Sequence, residues 1–229
     1  MMVMKYYKGG DLYSYLDETI VILSWKDIVD ILWSISAGLN VIHEYGFVHG
    51  HLHGGNILVE NEMDSIDAKI TDTRLHRPFD SQKQIYGVVP FVAPEIFNGS
   101  MPTKASDIYS FGMIMWMLSA GMRPYHDRPH DKQLIRDICS GLRPSIVDGT
   151  PPVFSKLMLQ CLDANPSNRL TSMQLHERFA NWISDEQSNQ FNVAEEIRIA
   201  NLEKKLTNIS PCHEDAIYLS RPLNSLIPL

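Results

Sequence analysis

The sequence is poor in cysteine, in positive charge and in long apolar runs, and each shortage removes a class of protein. The three cysteines, Cys139, Cys161 and Cys212, are widely spaced, odd in number and without a Cys-x-x-Cys pair. They offer no disulfide framework, which fits a reducing compartment. A net charge of −7 argues against a nucleic-acid or anionic-membrane surface, both of which call for basic patches. The longest apolar stretch, residues 108–118, falls short of the ~20 residues a membrane-spanning helix needs. The opening residues Met1-Met2-Val3-Met4-Lys5-Tyr6-Tyr7 lack the basic and apolar regions of a signal peptide. No internal repeat is present. A soluble, cytoplasmic protein is expected, with no nucleic acid and no membrane among its partners. The 229 residues, 44% hydrophobic and 21% charged, suit one large domain or one domain plus a tail.

What is there is mostly helical periodicity. Residues 25–45 carry Ile28, Ile31, Leu32, Ile35, Leu39 and Ile42 at spacings of three and four, the pattern of one buried helical face. Ser24 is a suitable N-cap with Asp27 three residues on, and Gly46 a suitable stop. Residues 106–120 are apolar all round, which predicts a central core helix, and Gly112 within it predicts close packing. Further helices are expected over 12–16, capped by Asp11, and over 131–140, 152–162, 172–185 and 193–206. The last of these has only a thin apolar stripe, so it docks on the domain, pairs with a partner or stays solvated. Residues 57–59 and 68–71 read as two short strands, and residues 2–4 as a strand that starts with no preceding turn. That abrupt start points to a fragment or to a neighbouring strand supplied from elsewhere. Residues 211–229 read as an irregular tail.

Between the long helix and the first strand lies His49-Gly50-His51-Leu52-His53-Gly54-Gly55-Asn56. Taken alone, this stretch is either a metal site or a catalytic loop. The residues that follow resolve it. His49, Leu52 and Asn56 fit the pattern H-R-D-x-x-x-x-N, Asp72 fits the first position of D-F-G, and Ala93-Pro94-Glu95 reproduce A-P-E. Asp107-Ile108-Tyr109-Ser110-Phe111-Gly112 and Asn165-Pro166-Ser167-Asn168-Arg169-Leu170-Thr171 complete an ordered set. The chain therefore resembles a protein kinase domain, mostly its C-terminal lobe, with a tyrosine-kinase-like flavour found in expanded fungal kinase-like families. The metal reading then falls, since alternate residues of an extended loop point apart and zinc needs converging ligands.

The resemblance implies a fold that is mainly α with a few short β-strands, a kinase-like C-lobe with the N-lobe largely absent. It implies a kinase-like domain of hinge and C-lobe over 1–183, then a C-terminal helix and irregular tail over 184–229. It places Lys5, Tyr6 and Tyr7 at the hinge facing an adenine edge and Leu58 on the adenine floor. Asn56 and Asp72 take the positions of Mg²⁺ ligands, and both offer oxygen to a hard cation. Asp107 resembles the residue that holds the catalytic-loop backbone, and Glu95 and Arg169 match a buried ion pair.

Departures cluster on chemistry. His51 occupies the position of the catalytic Asp and impairs it, because a general base there contributes ~10²–10⁴-fold. His53 stands where a Ser/Thr kinase has Lys, Gly50 where an Arg pairs with a phosphorylated activation loop, and Val88 where Thr helps hold the catalytic loop. Thr73-Arg74 replace Phe-Gly, so Thr73 cannot fill a hydrophobic spine. No Gly-rich loop or strand Lys lies upstream. These departures imply a pseudokinase-type signalling domain that acts by protein–protein interaction on other signalling proteins or kinases. Binding of ATP and Mg²⁺ would be residual, weak or absent, and phosphotransfer slight. The alternative is an active ATP-dependent Ser/Thr or Tyr kinase whose N-lobe is missing from this sequence, with His51 as an unusual base. A non-functional fragment is a third possibility. Ser81 and Tyr86 fall in the segment that matches the activation loop.

Overall fold

A computed structural model of the chain describes residues 5–19, 23–62, 65–73, 84–184, 189–201 and 211–227. The strand expected at residues 2–4, and both Arg74 and Ser81, lie outside the described residues.

Helix α1 (Leu12–Thr19) begins at Asp11, whose Oδ1 accepts the Tyr13 and Ser14 N–H groups at 2.9 and 3.1 Å. Helix α2 (Trp25–Glu44) carries the expected capping box in both directions. The Ser24 hydroxyl accepts from Asp27 N–H and the Asp27 carboxylate accepts from Ser24 N–H. The apolar stripe of α2, from Ile28 to Leu39, is buried, and His43 shares it. Strands β1 (Ile57–Glu62) and β2 (Ser65–Ile70) form an antiparallel hairpin in which Ile57 faces Ile70 and Val59 faces Ala68. Helix α2 packs against this hairpin on one side and against α7 (Ser172–Ser184) on another.

The core is built around α4 (Lys104–Ala120). Every residue from Ser106 to Ala120 is buried, as an all-apolar helix requires. Thr103 and Ser106 cap its start reciprocally, and Gly121 ends it with a left-handed φ of 68°. A Cβ at Gly112 would lie 2.8 Å from Cys161 Cβ, so glycine sets how closely α4 meets α6 (Pro152–Cys161). The short helix α3 (Pro94–Phe97) and α5 (Lys132–Cys139) pack together.

Helix α8 (Asn189–Ala200) begins four residues before the expected start, and it docks rather than standing in solvent. Glu195 accepts the Trp25 N–H at 2.7 Å, so α8 supplies a cap to α2, and Phe191 packs edge-on against Trp25 and Trp182. Residues 211–227 are largely irregular, yet Tyr218 and Leu223 are buried. A two-residue strand β4 (Arg221–Pro222) pairs antiparallel with β3 (Tyr86–Gly87). Among the described residues, helices dominate, strands are short, and no helix is long and apolar enough to cross a membrane.

Candidate functional site

The loop 49–56 is held from below by one carboxylate. Asp107, at the start of α4 and 1% exposed, accepts the backbone N–H groups of His49 and Gly50, each at 2.8 Å. Its Oδ2 also takes the Nε2–H of His43 at 2.9 Å, and the other ring nitrogen of His43 lies 3.1 Å from the Ser172 hydroxyl. That hydroxyl donates to Asn40 Oδ1, and Asn40 Nδ2 donates to Glu44. A continuous polar chain thus runs from the end of α2 through α7 to the loop backbone. Each buried polar group in it has a partner, the condition under which such a network rigidifies its surroundings.

A second anchor lies under the segment that follows. Arg169 donates from Nη1 and Nη2 to the two carboxylate oxygens of Glu95, at 2.7 and 2.9 Å, with its side chain fully buried. Nη1 also donates to Ala105 O and Nε to Asp163 O. Ser110 of α4 donates to Phe91 O at 2.7 Å, which fixes the turn before α3. This forked pairing has the geometry that makes Arg–carboxylate contacts strong.

The upper face of the loop differs. The ring of His51 is buried, with Nδ1 3.0 Å from His49 O and Nε2 3.2 Å from Asp72 Oδ2. Both partners are hydrogen-bond acceptors. Asp72 has a left-handed backbone, φ 53°, unusual for a residue other than glycine, and its side chain is 48% exposed. Thr73 is exposed and fills no apolar space. Asn56 donates from Nδ2 to His51 O at 3.1 Å, which assigns its oxygen as the end available to a ligand. Asn56 and Asp72 provide oxygen of the kind a hard cation takes, so the donor set fits Mg²⁺ in chemistry, although His51 already contacts Asp72.

His53 makes its ring contacts with α1 and Phe91. Its ring lies nearly parallel to Tyr13 at 6.0 Å and against Phe91, its Nδ1 accepts from Gly55 N–H, and its Nε2 finds no hydrogen-bond partner. Burial, with the nearby His51 and His49 charges second, pulls its pKa down to about 4. The ring is therefore neutral near pH 7. Burial also lowers the pKa of His49, whose Nε2–H donates to Thr71 O at 3.1 Å. Gly54 is needed here, because a Cβ would collide with the Tyr13 ring. The three loop histidines turn their rings to different neighbours, and among the described residues no group of His, Cys, Asp or Glu is arranged as a metal cluster.

Residues 5–10 run beside the hairpin. Lys5 Nζ pairs with Glu60 at 2.6 Å and lies 5.5 Å from the Tyr7 ring centroid. Tyr6 is exposed, Tyr7 and Leu58 are half-buried, and Val59 N–H donates to Gly10 O. Lys5, Tyr7 and Leu58 are thereby brought to one edge, while His51, Asn56 and Asp72 converge at another. His53 joins neither. A small cavity between the loop and residues 87–96, lined by His51 and Val88, has about 10 Å³ of room, enough for one water. Sequence reasoning missed His43 and Tyr13. The signal for His43 was a polar residue on the buried stripe of α2, four residues after Leu39; Tyr13 gave none.

Comparison with known proteins agrees with this architecture. Residues 1–179 match the family described as protein tyrosine and serine/threonine kinase. The chain is 32% identical over 201 residues to human receptor-interacting serine/threonine-protein kinase 1, covering 78% of this chain and 29% of that protein. It is 31% identical over 163 residues to a Dictyostelium discoideum protein described as a probable serine/threonine-protein kinase, covering 69% of this chain and 10% of the relative. Against the dual specificity protein kinase splA of the same organism it is 27% identical over 192 residues, with 76% and 8% covered. The chain thus spans between a twelfth and under a third of the lengths of these relatives.

Proposed function

The chain belongs to the protein tyrosine and serine/threonine kinase family, and within it we propose a pseudokinase-type signalling domain that works by protein–protein interaction and transfers little phosphate. The observation that carries this reading is His51. A base at that position must turn a lone pair toward an incoming hydroxyl, and here each ring nitrogen faces an acceptor, the His49 carbonyl or the Asp72 carboxylate, so neither is directed at open space. His53 adds to it, since a neutral, buried imidazole cannot offer positive charge to a transferring phosphoryl group. Members of this family use ATP and Mg²⁺. In this chain Mg²⁺ would be held by Asn56 and Asp72, where it would neutralise phosphate charge, and adenine would lie near Lys5, Tyr6, Tyr7 and Leu58. The contact of His51 with Asp72 competes for that metal position and supports weak binding. The tyrosine-kinase-like flavour is part of the same proposal, as are partners among other signalling proteins or kinases and a place in the cytoplasm.

The test is the purified chain with labelled ATP, Mg²⁺ and generic protein substrates, beside an Asp72→Ala variant. The expected result is incorporation at background in both. Incorporation by the wild type that the variant abolishes would overturn the reading.

A second reading is an active kinase that draws the rest of its nucleotide site from chain beyond these residues. The intact network under the loop and the presence of Asn56 and Asp72 favour it. Its mark is a protein in its own cell well above 26.1 kDa that ATP stabilises, by about 2.7 kcal/mol at a hundred times Kd.

A further inference from the structure

Arg198 lies on the buried side of α8 and is 8% exposed, and α8 follows residue 179, where the family match ends. Arginine stays protonated in a folded protein and carries five N–H donors. The Cζ of Arg198 stands 5.9 Å from the centroid of the Trp25 ring. Among the described residues, no carboxylate pairs with this guanidinium and no oxygen accepts from it. A buried charge is costly unless it is paired and hydrogen-bonded, so the pairing must come from outside the protein.

Arg198 borders a cavity of about 20 Å³ between α8, the start of α2, the end of α4 and the loop before α6. One water needs about 10–15 Å³, so there is room for a small ion and not for a phosphate group. Gly149 lets the loop come this close. Its φ is 81°, and a Cβ there would lie 2.6 Å from Ile197 Cγ2 of α8. Two further donor groups belong to wall residues. Trp25 is buried and its Nε1–H has no acceptor, and Asn201 brings a side-chain amide. The hydroxyls in the wall already donate elsewhere, Ser119 to Trp116 O at 2.9 Å and Thr150 to Val147 O at 2.7 Å. Glu195 and Asp27 are near, but their carboxylates accept the Trp25 and Ser24 N–H groups at the start of α2. Burial lowers the pKa of Arg198, while those two charges raise it. Asp148 is in the wall but exposed, so water screens its charge.

We propose that this cavity holds one halide-sized monovalent anion, chloride in a cell, against the Arg198 guanidinium. The ion supplies the charge and the acceptor that the protein does not. An uncharged water would accept an N–H and leave the charge unpaired. The anion ties α8 to the start of α2 and to the loop at Gly149, so the docking of α8 tightens as halide concentration rises. This holds whether or not the domain transfers phosphate.

The test melts the full chain in sodium chloride, sodium bromide and sodium gluconate at one ionic strength of about 0.15 M, gluconate being too large to enter. The wild type is expected to melt about 2 °C or more higher in the two halides than in gluconate. Arg198→Met keeps an unbranched side chain against Trp25 and should lose that difference. Asp148→Asn removes the carboxylate from the wall and should lower the chloride concentration at half effect by about twofold or more. Equal melting of the wild type in the three salts, or a halide gain that survives in Arg198→Met, would overturn the proposal. So would a higher chloride requirement in Asp148→Asn, because the acid and not the arginine would then serve the ligand. Crystals of the wild type grown in bromide give a reading that needs no variant. An anomalous peak beside the Arg198 guanidinium is expected, and a water or an empty cavity there would contradict the site.

Discussion

Asp107 and His51 lie on opposite sides of one loop and live in opposite circumstances. Asp107 is sealed, and its two oxygens serve two loop N–H groups and a histidine that is itself held by Ser172. His51 faces the half-exposed Asp72 and sits beside a histidine whose buried Nε2 has no hydrogen-bond partner. The lower side has the completeness of a network that positions a backbone. The upper side carries two imidazoles and one half-exposed carboxylate. The difference teaches that support and chemistry separate in this fold. The loop's backbone is placed by Asp107, on the side away from His51 and Asp72, so a change at His51 should leave its path in place.

Breaking the lower side should cost most. Arg169→Ala leaves Glu95 without its partner in a mostly buried position, and Asp107→Ala leaves two buried N–H groups and His43 without an acceptor. Each is expected to lose about 3–5 kcal/mol in urea unfolding. A loss below about 1 kcal/mol in either would erase the contrast. The pH dependence of His53 comes next. Its folded pKa of about 4 lies below the ordinary 6.5, so the folded state binds fewer protons than the unfolded state. Its contribution is fully present above about pH 6.5 and is lost as pH falls toward 4. Between pH 7 and pH 5 this amounts to about 2 kcal/mol. His53→Gln should flatten that part of the curve, and an unchanged slope would show that the ring is not buried as described. The smallest effect is expected on the upper side. His51→Ala gives up a ring contact with the His49 carbonyl and one with a half-exposed carboxylate, and should cost about 1 kcal/mol or less. If it equals Asp107→Ala, the two sides are one unit.

Much of this was legible in the residues because it is written at fixed local spacing. The α2 stripe, the caps at Ser24 and Asp11 and the all-apolar α4 follow from periodicity and capping chemistry. Asp107, Glu95 and Arg169 were legible as motif positions, and each sits in a buried pairing. Three features were not legible. His53 depends on Tyr13, forty residues earlier, for its burial, and no local pattern announces that contact. The docking of α8 depends on Glu195 meeting Trp25 across the domain, a contact that no local spacing reports. Residues 211–227 bury only Tyr218 and Leu223, too few for any period, so their pairing with Tyr86–Gly87 leaves no trace in sequence.

The most direct measurement is phosphate incorporation by the wild type and by His51→Asp, side by side, in the longest natural form of the protein, with Asp72→Ala as the blank. With little transfer in the wild type, restoring the carboxylate should raise the rate by about 10² or more, the scale of a positioned base. A wild-type rate well above the blank and equal to that of His51→Asp would contradict the account, because the imidazole would then be serving as the base although each of its nitrogens faces an acceptor.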